Sequence, residues 1–245
     1  MNDETRLFSY KLINDSGFAP NPYFGLLTLA TCKPGIRRAK DVGDWIAGFT
    51  SKQLCGDPVG KERLIFLMQV TEKMCFSRYY GDRRFTNKIP DRSKPQCIWL
   101  TGDNIYKTKS KNSSNFEDFE QLPNPNHNET KKEHDLSGEF VLVSSRFFYF
   151  GSEALIIPEE IRPEVPKGQS ANGVRTKDEI LAEKFIRYFV SHCKIGVHGT
   201  PHSWTEDDPS RECQRGPSLP SKSKTICCKD ASKTKCCKRI SKEKT

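Results

Sequence analysis

Two apolar runs constrain this chain most: residues 63–71 (R-L-I-F-L-M-Q-V-T) and residues 139–150 (E-F-V-L-V-S-S-R-F-F-Y-F). The first is too short for a favoured amphipathic helix and is rich in β-forming residues, which predicts a core strand, and the second carries an equally strong strand signal. The second breaks at Ser144-Ser145, where a bend or hairpin turn is expected to return the chain to the same sheet. Weaker strand patterns occupy residues 6–13, 26–31 and 42–49, the last entered through a Gly43-Asp44 turn. Asn14-Asp15-Ser16-Gly17 marks a turn, and Pro20 and Pro22 fix an extended loop that lacks backbone donors at those two positions.

One segment has a convincing helical period. Leu181, Phe185, Ile186, Phe189 and Cys193 form an apolar stripe, and Thr176-x-x-Glu179 supplies a capping box, which predicts a helix over residues 177–193 packed on the sheet. Residues 72–80 are read as a helical turn and residues 33–39 as a short polar connection. Residues 81–136 are polar, carry four prolines (90, 95, 123 and 125) and lack periodicity, the pattern of a functional loop or mobile insertion. Gly199 to Trp204 reads as a loop pinned by the tryptophan.

The element order suits an α+β fold with a mixed or antiparallel sheet, or a small barrel, with one or two packed helices. A length of 245 residues with 35% hydrophobic and 29% charged side chains fits one domain plus polar extras. The net charge of +9 is unevenly spread: residues 221–245 hold nine Lys/Arg against two acids, leaving +2 for the rest. The body is therefore not a polyanion-binding surface by global charge, whereas the tail can hold nucleic acid nonspecifically through counterion release. The expected division is a domain over residues 1–205 and a disordered Lys/Cys-rich tail over 206–245.

No basic, apolar leader opens the chain and no run approaches the ~20 apolar residues that span a bilayer, so a cytoplasmic protein with no membrane partner is expected. Cys32, Cys55, Cys75, Cys97 and Cys193 then read as reduced thiols. Cys213, Cys227, Cys228, Cys236 and Cys237 crowd the tail, but their adjacent pairs do not match the usual zinc-knuckle spacing. No metal site and no cofactor is expected. Gly-x-Ser-x-Gly, His-Glu-x-x-His, a phosphate-binding Walker loop and the zinc-deaminase signature are all missing from the sequence, which lowers the common hydrolase and deaminase classes.

Several polar groups could serve a nucleotide. Lys33, Arg37 and Arg38 lie ahead of the turn at Asp44 and could clamp phosphates; the bland alternative is a solvated basic loop. Tyr23 and Trp45 are candidate stacking platforms, although a strand tryptophan more often packs in the core. Asp103, Asn104 and Tyr106 gather a carboxylate, an amide and a phenol at an expected strand end, against the alternative of an Asx-type turn. Asp103 and His198 are the candidate acid or base. His127, His134 and His202 share the loop setting of His198 and could be bases or merely exposed.

Six stretches in order resemble the nucleotide modification associated domain family, second type: Gly17 to Gly25; Thr28 to Pro34 with Ile36-Arg37-Arg38; Val42 to Ile46; Gly102 to Tyr106; Phe147 to Gly151 with Ile157-Pro158; and Gly199-x-Pro-x-x-Trp204. The resemblance spans about residues 6–205. It implies association with systems that modify bases in DNA, often of phage or defence character, without defining a reaction. The expected ligand is DNA or a nucleotide bearing a modified base, with other proteins of such a system as further partners. The alternatives are an enzyme acting on the base and a protein-binding module. Residues 140–146 are less charged than the family pattern leads one to expect, so no site residue is drawn from them. The Val42 to Trp45 turn is also similar to the layout of PUA and EVE barrels, a likeness of architecture alone.

Overall fold

The structure is a computed structural model that describes residues 4–203 apart from 95–96, 109, 111–112 and 114. Trp204 and the basic tail lie outside the described residues. The chain runs β1 (Leu7–Lys11), β2 (Leu27–Leu29), α1 (Pro34–Ala39), β3 (Trp45–Phe49), α2 (Lys52–Cys55), β4 (Leu64–Gln69), β5 (Glu72–Cys75) and α3 (Phe76–Gly81). After short 3-10 turns come β6 (Tyr106–Thr108), β7 (Phe119–Gln121), α4 (Lys132–Leu136), β8 (Phe140–Ser144), β9 (Arg146–Tyr149), β10 (Val174–Arg175), α5 (Glu179–His192) and β11 (Gly196–Val197).

The architecture is α+β with a mixed sheet. Six strands lie in the order β10-β1-β3-β4-β9-β11, three in the order β2-β8-β5, and β6 pairs with β7. In the large sheet β1 runs parallel to β3 and β9 parallel to β11; its other pairs are antiparallel. The two end strands of that sheet, β10 and β11, do not pair with each other, so the barrel alternative is not realised.

The alternation of side chains along the strands explains the layering. Leu7, Trp45, Ala47, Phe49, Leu67 and Phe148 face one way and bury the Ala182, Phe185, Ile186 and Phe189 stripe of α5. Tyr10, Ile46, Phe66, Met68, Phe147 and Tyr149 face the other way, against Leu27, Leu29 and Leu142 of the smaller sheet. Val141 and Val143 on the far side of that sheet pack with Met74, Phe76, Tyr79, Phe85, Ile105, Tyr106 and Phe119. The long insertion is therefore a folded outer layer: isolated aromatic residues, too sparse for a period, supply its buried face. Gly48 allows one close packing in the middle, since a Cβ there would lie 2.1 Å from the Phe66 ring.

Four local expectations change in detail, and the first is that residues 72–80 open as strand β5 before turning helical in α3. The apolar run 139–150 does not return to one sheet: Ser144 ends β8 in the small sheet and β9 resumes in the large one. Residues 33–39 contain a helix, α1, with proline at its first position. Asp178 rather than Thr176 caps α5, accepting the Leu181 N–H at 3.0 Å, while the Thr176 hydroxyl accepts the Glu164 N–H.

Candidate functional site

Between β2 and α1 the chain turns through two consecutive non-glycine residues in the left-handed region, Cys32 at φ 56° and Lys33 at φ 41°. Such residues cost on the order of 1–3 kcal/mol each and persist only where surrounding contacts hold them. Here the contacts come from distant parts of the sequence. The Cys32 N–H donates to Asp135 Oδ1 at 2.7 Å, and the Cys32 carbonyl accepts from Arg37 Nε at 2.8 Å. Arg37, fully buried, also donates to the carbonyls of Phe140 and Asp135 at 2.9 and 2.5 Å. Burial lowers its pKa to about 10, with Asp135 and Cys32 opposing the shift, so the guanidinium stays charged at neutral pH.

Asp135 gathers the remaining groups. Its Oδ2 accepts from the Tyr106 hydroxyl at 2.7 Å and lies 3.0 Å from His127 Nε2, which is 3.7 Å from Cys32 Sγ. His127 Nδ1 lies 2.9 Å from the Asn126 carbonyl, and its ring packs against Phe18. A carbonyl can only accept, so Nδ1 carries a proton and Nε2 is turned toward the thiol and the carboxylate. Burial opposes a charge on His127, but the hydrogen bonds with Asp135 and Cys32 outweigh it and raise its pKa to about 10. Asp135 is likewise held below the usual carboxylate range: burial works against it, and His127, Tyr106 and Arg37 prevail.

A second buried network adjoins this one. Asp103 accepts from Tyr79 at 2.6 Å and Thr28 at 2.7 Å, Lys88 Nζ donates to Asn21 Oδ1 at 2.7 Å, and the Asn104 amide faces the Tyr79 and Phe85 carbonyls at 3.4 and 3.3 Å. Burial raises the Asp103 pKa although Lys88, Tyr79 and Thr28 pull it down. Asp103, Asn104 and Lys88 are each about 1% exposed, so their polar groups are turned inward onto the protein.

The remaining sequence candidates are dispersed. Trp45 is packed under α5 in the first core layer, and Asp44 forms an ion pair with Arg6 at 2.6 Å. Tyr23 is largely buried, and its N–H donates to Asn21 Oδ1. Lys33 reaches Gln169 across the surface, and exposed Arg38 donates to the Ser137 carbonyl. His198 stacks on Phe150, with Nε2 2.7 Å from the Lys194 carbonyl. Arg37 and Tyr106 thus share one constellation with Cys32, His127 and Asp135. Sequence reasoning singled out neither Cys32 nor Asp135 as functional; the only signal was a cysteine between a strand pattern and a proline, with no local mark on Asp135.

His127 also borders a surface cleft of about 360 Å³, lined with it by Arg92, Leu100, Gln121, Asn124 and Asn128. Three of these side chains are amides: Asn124 is turned onto the chain, its Oδ1 accepting the Asn126 and His127 N–H groups and its Nδ2 donating to the Leu122 carbonyl, and Asn128 Oδ1 accepts from the Thr130 hydroxyl. Gln121 Nε2 donates to the His127 carbonyl at 3.2 Å, while its Oε1 has no hydrogen-bond partner. Among the described residues, no helix is long and apolar enough to cross a membrane.

The family model of nucleotide modification associated domain 2 matches residues 4–208. No curated protein and no solved structure matches the chain.

Proposed function

Because the chain belongs to the nucleotide modification associated domain 2 family, we propose that it binds a base or nucleotide within a DNA or nucleotide modification system, in the cleft beside His127. The observation that carries this reading is the chemistry of the cleft: the amides of Gln121, Asn124 and Asn128 and the ring of His127 on its walls, with the cation of Arg92 among them. Its volume falls within the range of small-molecule sites, about 300–1,000 Å³. Amides recognise base edges and a guanidinium recognises phosphate; Gln121 Oε1, on the cleft wall, is a buried acceptor without a hydrogen-bond partner. Arg37 and Tyr106 act here as positioning residues, since they hold Asp135 and through it His127. The basic tail adds sequence-independent affinity for a phosphate backbone.

The test is calorimetric titration of the full chain with nucleosides and their 5′-monophosphates, followed by mass spectrometry of the recovered nucleotide. Arg92 is exposed, so Arg92→Ala should leave the thermal midpoint unchanged and weaken monophosphates roughly 3- to 10-fold without weakening nucleosides. Equal affinities of wild type and variant for every monophosphate would remove the cleft from consideration. A chemically altered nucleotide after incubation would turn the binding reading into an enzymatic one.

A further inference from the structure

We propose that Cys32, His127 and Asp135 form a divalent transition-metal site of the zinc class, with three protein ligands and a fourth position open to water or to a ligand in the cleft. The three donor atoms come from segments about a hundred residues apart in sequence, yet lie within 4.8 Å of one another. Zinc bonds of about 2.3 Å to sulfur and about 2.0 Å to nitrogen and oxygen, at tetrahedral angles, require S···N near 3.6 Å and N···O near 3.3 Å. The separations here are 3.7 Å for Cys32 Sγ to His127 Nε2 and 3.0 Å for His127 Nε2 to Asp135 Oδ2. These two pairs therefore lie within a few tenths of an ångström of tetrahedral spacing, and the Cys32 thiol and the Asp135 carboxylate lie within 4.8 Å of each other.

The surroundings suit a metal as well as the distances do. A histidine ligand is ordinarily oriented by a hydrogen bond from its other ring nitrogen, and His127 Nδ1 has that partner in the Asn126 carbonyl. The carboxylate ligand is oriented in turn by the Tyr106 hydroxyl and the Cys32 N–H. Arg37, the nearby cation, is directed onto three backbone carbonyls. The left-handed Cys32–Lys33 turn gains a purpose, since it sets the thiol opposite the imidazole. Thiolate with imidazole favours zinc or cobalt over magnesium or calcium. On binding, Cys32 coordinates as thiolate and His127 through an unprotonated Nε2, each releasing one proton to solvent. Three ligands and one open position is the arrangement of zinc sites that receive an exogenous ligand rather than purely structural ones.

Metal uptake can succeed or fail independently of the nucleotide reading, because it is read without nucleotide. The experiment adds Zn²⁺ alone to the reduced full chain and compares wild type with Cys32→Ser and His127→Gln. All three proteins keep the five tail cysteines, so metal taken up there cancels. Wild type should bind one more equivalent than either variant. Zinc should raise its thermal midpoint by roughly 5 °C and the midpoints of the variants by much less. It should also slow alkylation of Cys32, followed by peptide mass spectrometry, at least tenfold. Substituting Co²⁺ should produce a thiolate-to-cobalt charge-transfer band that Cys32→Ser weakens by one site's worth. Should either variant not fold, the peptide-resolved alkylation of Cys32 in wild type still decides the matter. Equal stoichiometry in all three folded proteins, or Cys32 alkylated at the same rate with and without zinc, would overturn the site.

Discussion

Replacing Arg37 with methionine should remove about 3–5 kcal/mol of stability, a large share of the roughly 5–15 kcal/mol that holds a domain folded. The side chain is fully buried and donates to the carbonyls of Cys32, Phe140 and Asp135, so the substitution removes the charged donor from all three, and the Gly138 N–H remains only for Asp135. Each stranded buried acceptor costs on the order of 1–3 kcal/mol, while methionine fills much of the volume and limits the cavity loss. Lysine should not rescue, because one ammonium on a flexible stem cannot reproduce the planar fork. The neighbouring exposed Arg38, with one bond to the Ser137 carbonyl, provides the contrast: Arg38→Ala should stay within about 0.5 kcal/mol of wild type. Urea unfolding followed by tryptophan fluorescence measures both. A cooperative Arg37→Met variant with a wild-type midpoint would mean that the guanidinium is not the clamp on the Cys32 turn.

Asp103→Ala should be as damaging, at about 3–5 kcal/mol, because it removes the acceptor of two buried hydroxyls, Tyr79 and Thr28, and the anion that favours a charged Lys88. Burial already lowers the Lys88 pKa to about 8, with Asp103 pulling it back up. Adding Lys88→Met to Asp103→Ala should therefore recover part of the loss, a positive coupling that a double-mutant cycle reads directly. The same residue sets a dependence on pH. Between about pH 8 and the ordinary lysine value of 10.5, the unfolded chain keeps a proton on Lys88 that the folded chain has released. Since stability rises with pH where the unfolded state binds more protons, this group makes the protein more stable across that interval. Wild type should show the rise in urea midpoints between pH 8 and 10, and Lys88→Met should be flatter. Parallel profiles would show that Lys88 is not the titrating group.

Both predictions concern residues whose types, read locally, point to the surface. A run such as Ile65-Phe66-Leu67-Met68 carries its environment in its own composition, and the α5 stripe does so through its period, so β4 and α5 were readable from neighbours alone. Arg37, Lys88, Asp103 and Asn104 carry no such mark. An arginine in a polar stretch becomes a core residue only when carbonyls from α4 and β8, some hundred residues later, meet its guanidinium. The same limit applies to pairing. Residues 139–150 announce strand, but which sheet each half joins depends on what lies beside it, and the Ser144-Ser145 bend divides one apolar run between two layers. The parallel pairing of β1 with β3 has no local signature either, because a strand of buried residues reads alike in both orientations.

By itself the sequence determined the α+β class, the main strands, the late helix, the basic tail and the family, since each is written in contiguous residues or in the order of short motifs. Tertiary structure alone decided that the insertion is an outer layer on the small sheet, that Trp45 lies beneath α5, and that Cys32, His127 and Asp135 meet. The physical reason is distance along the chain. Hydrophobic period and turn chemistry act over a few residues, whereas a buried polar group is satisfied by whatever partner the packed layers bring to it.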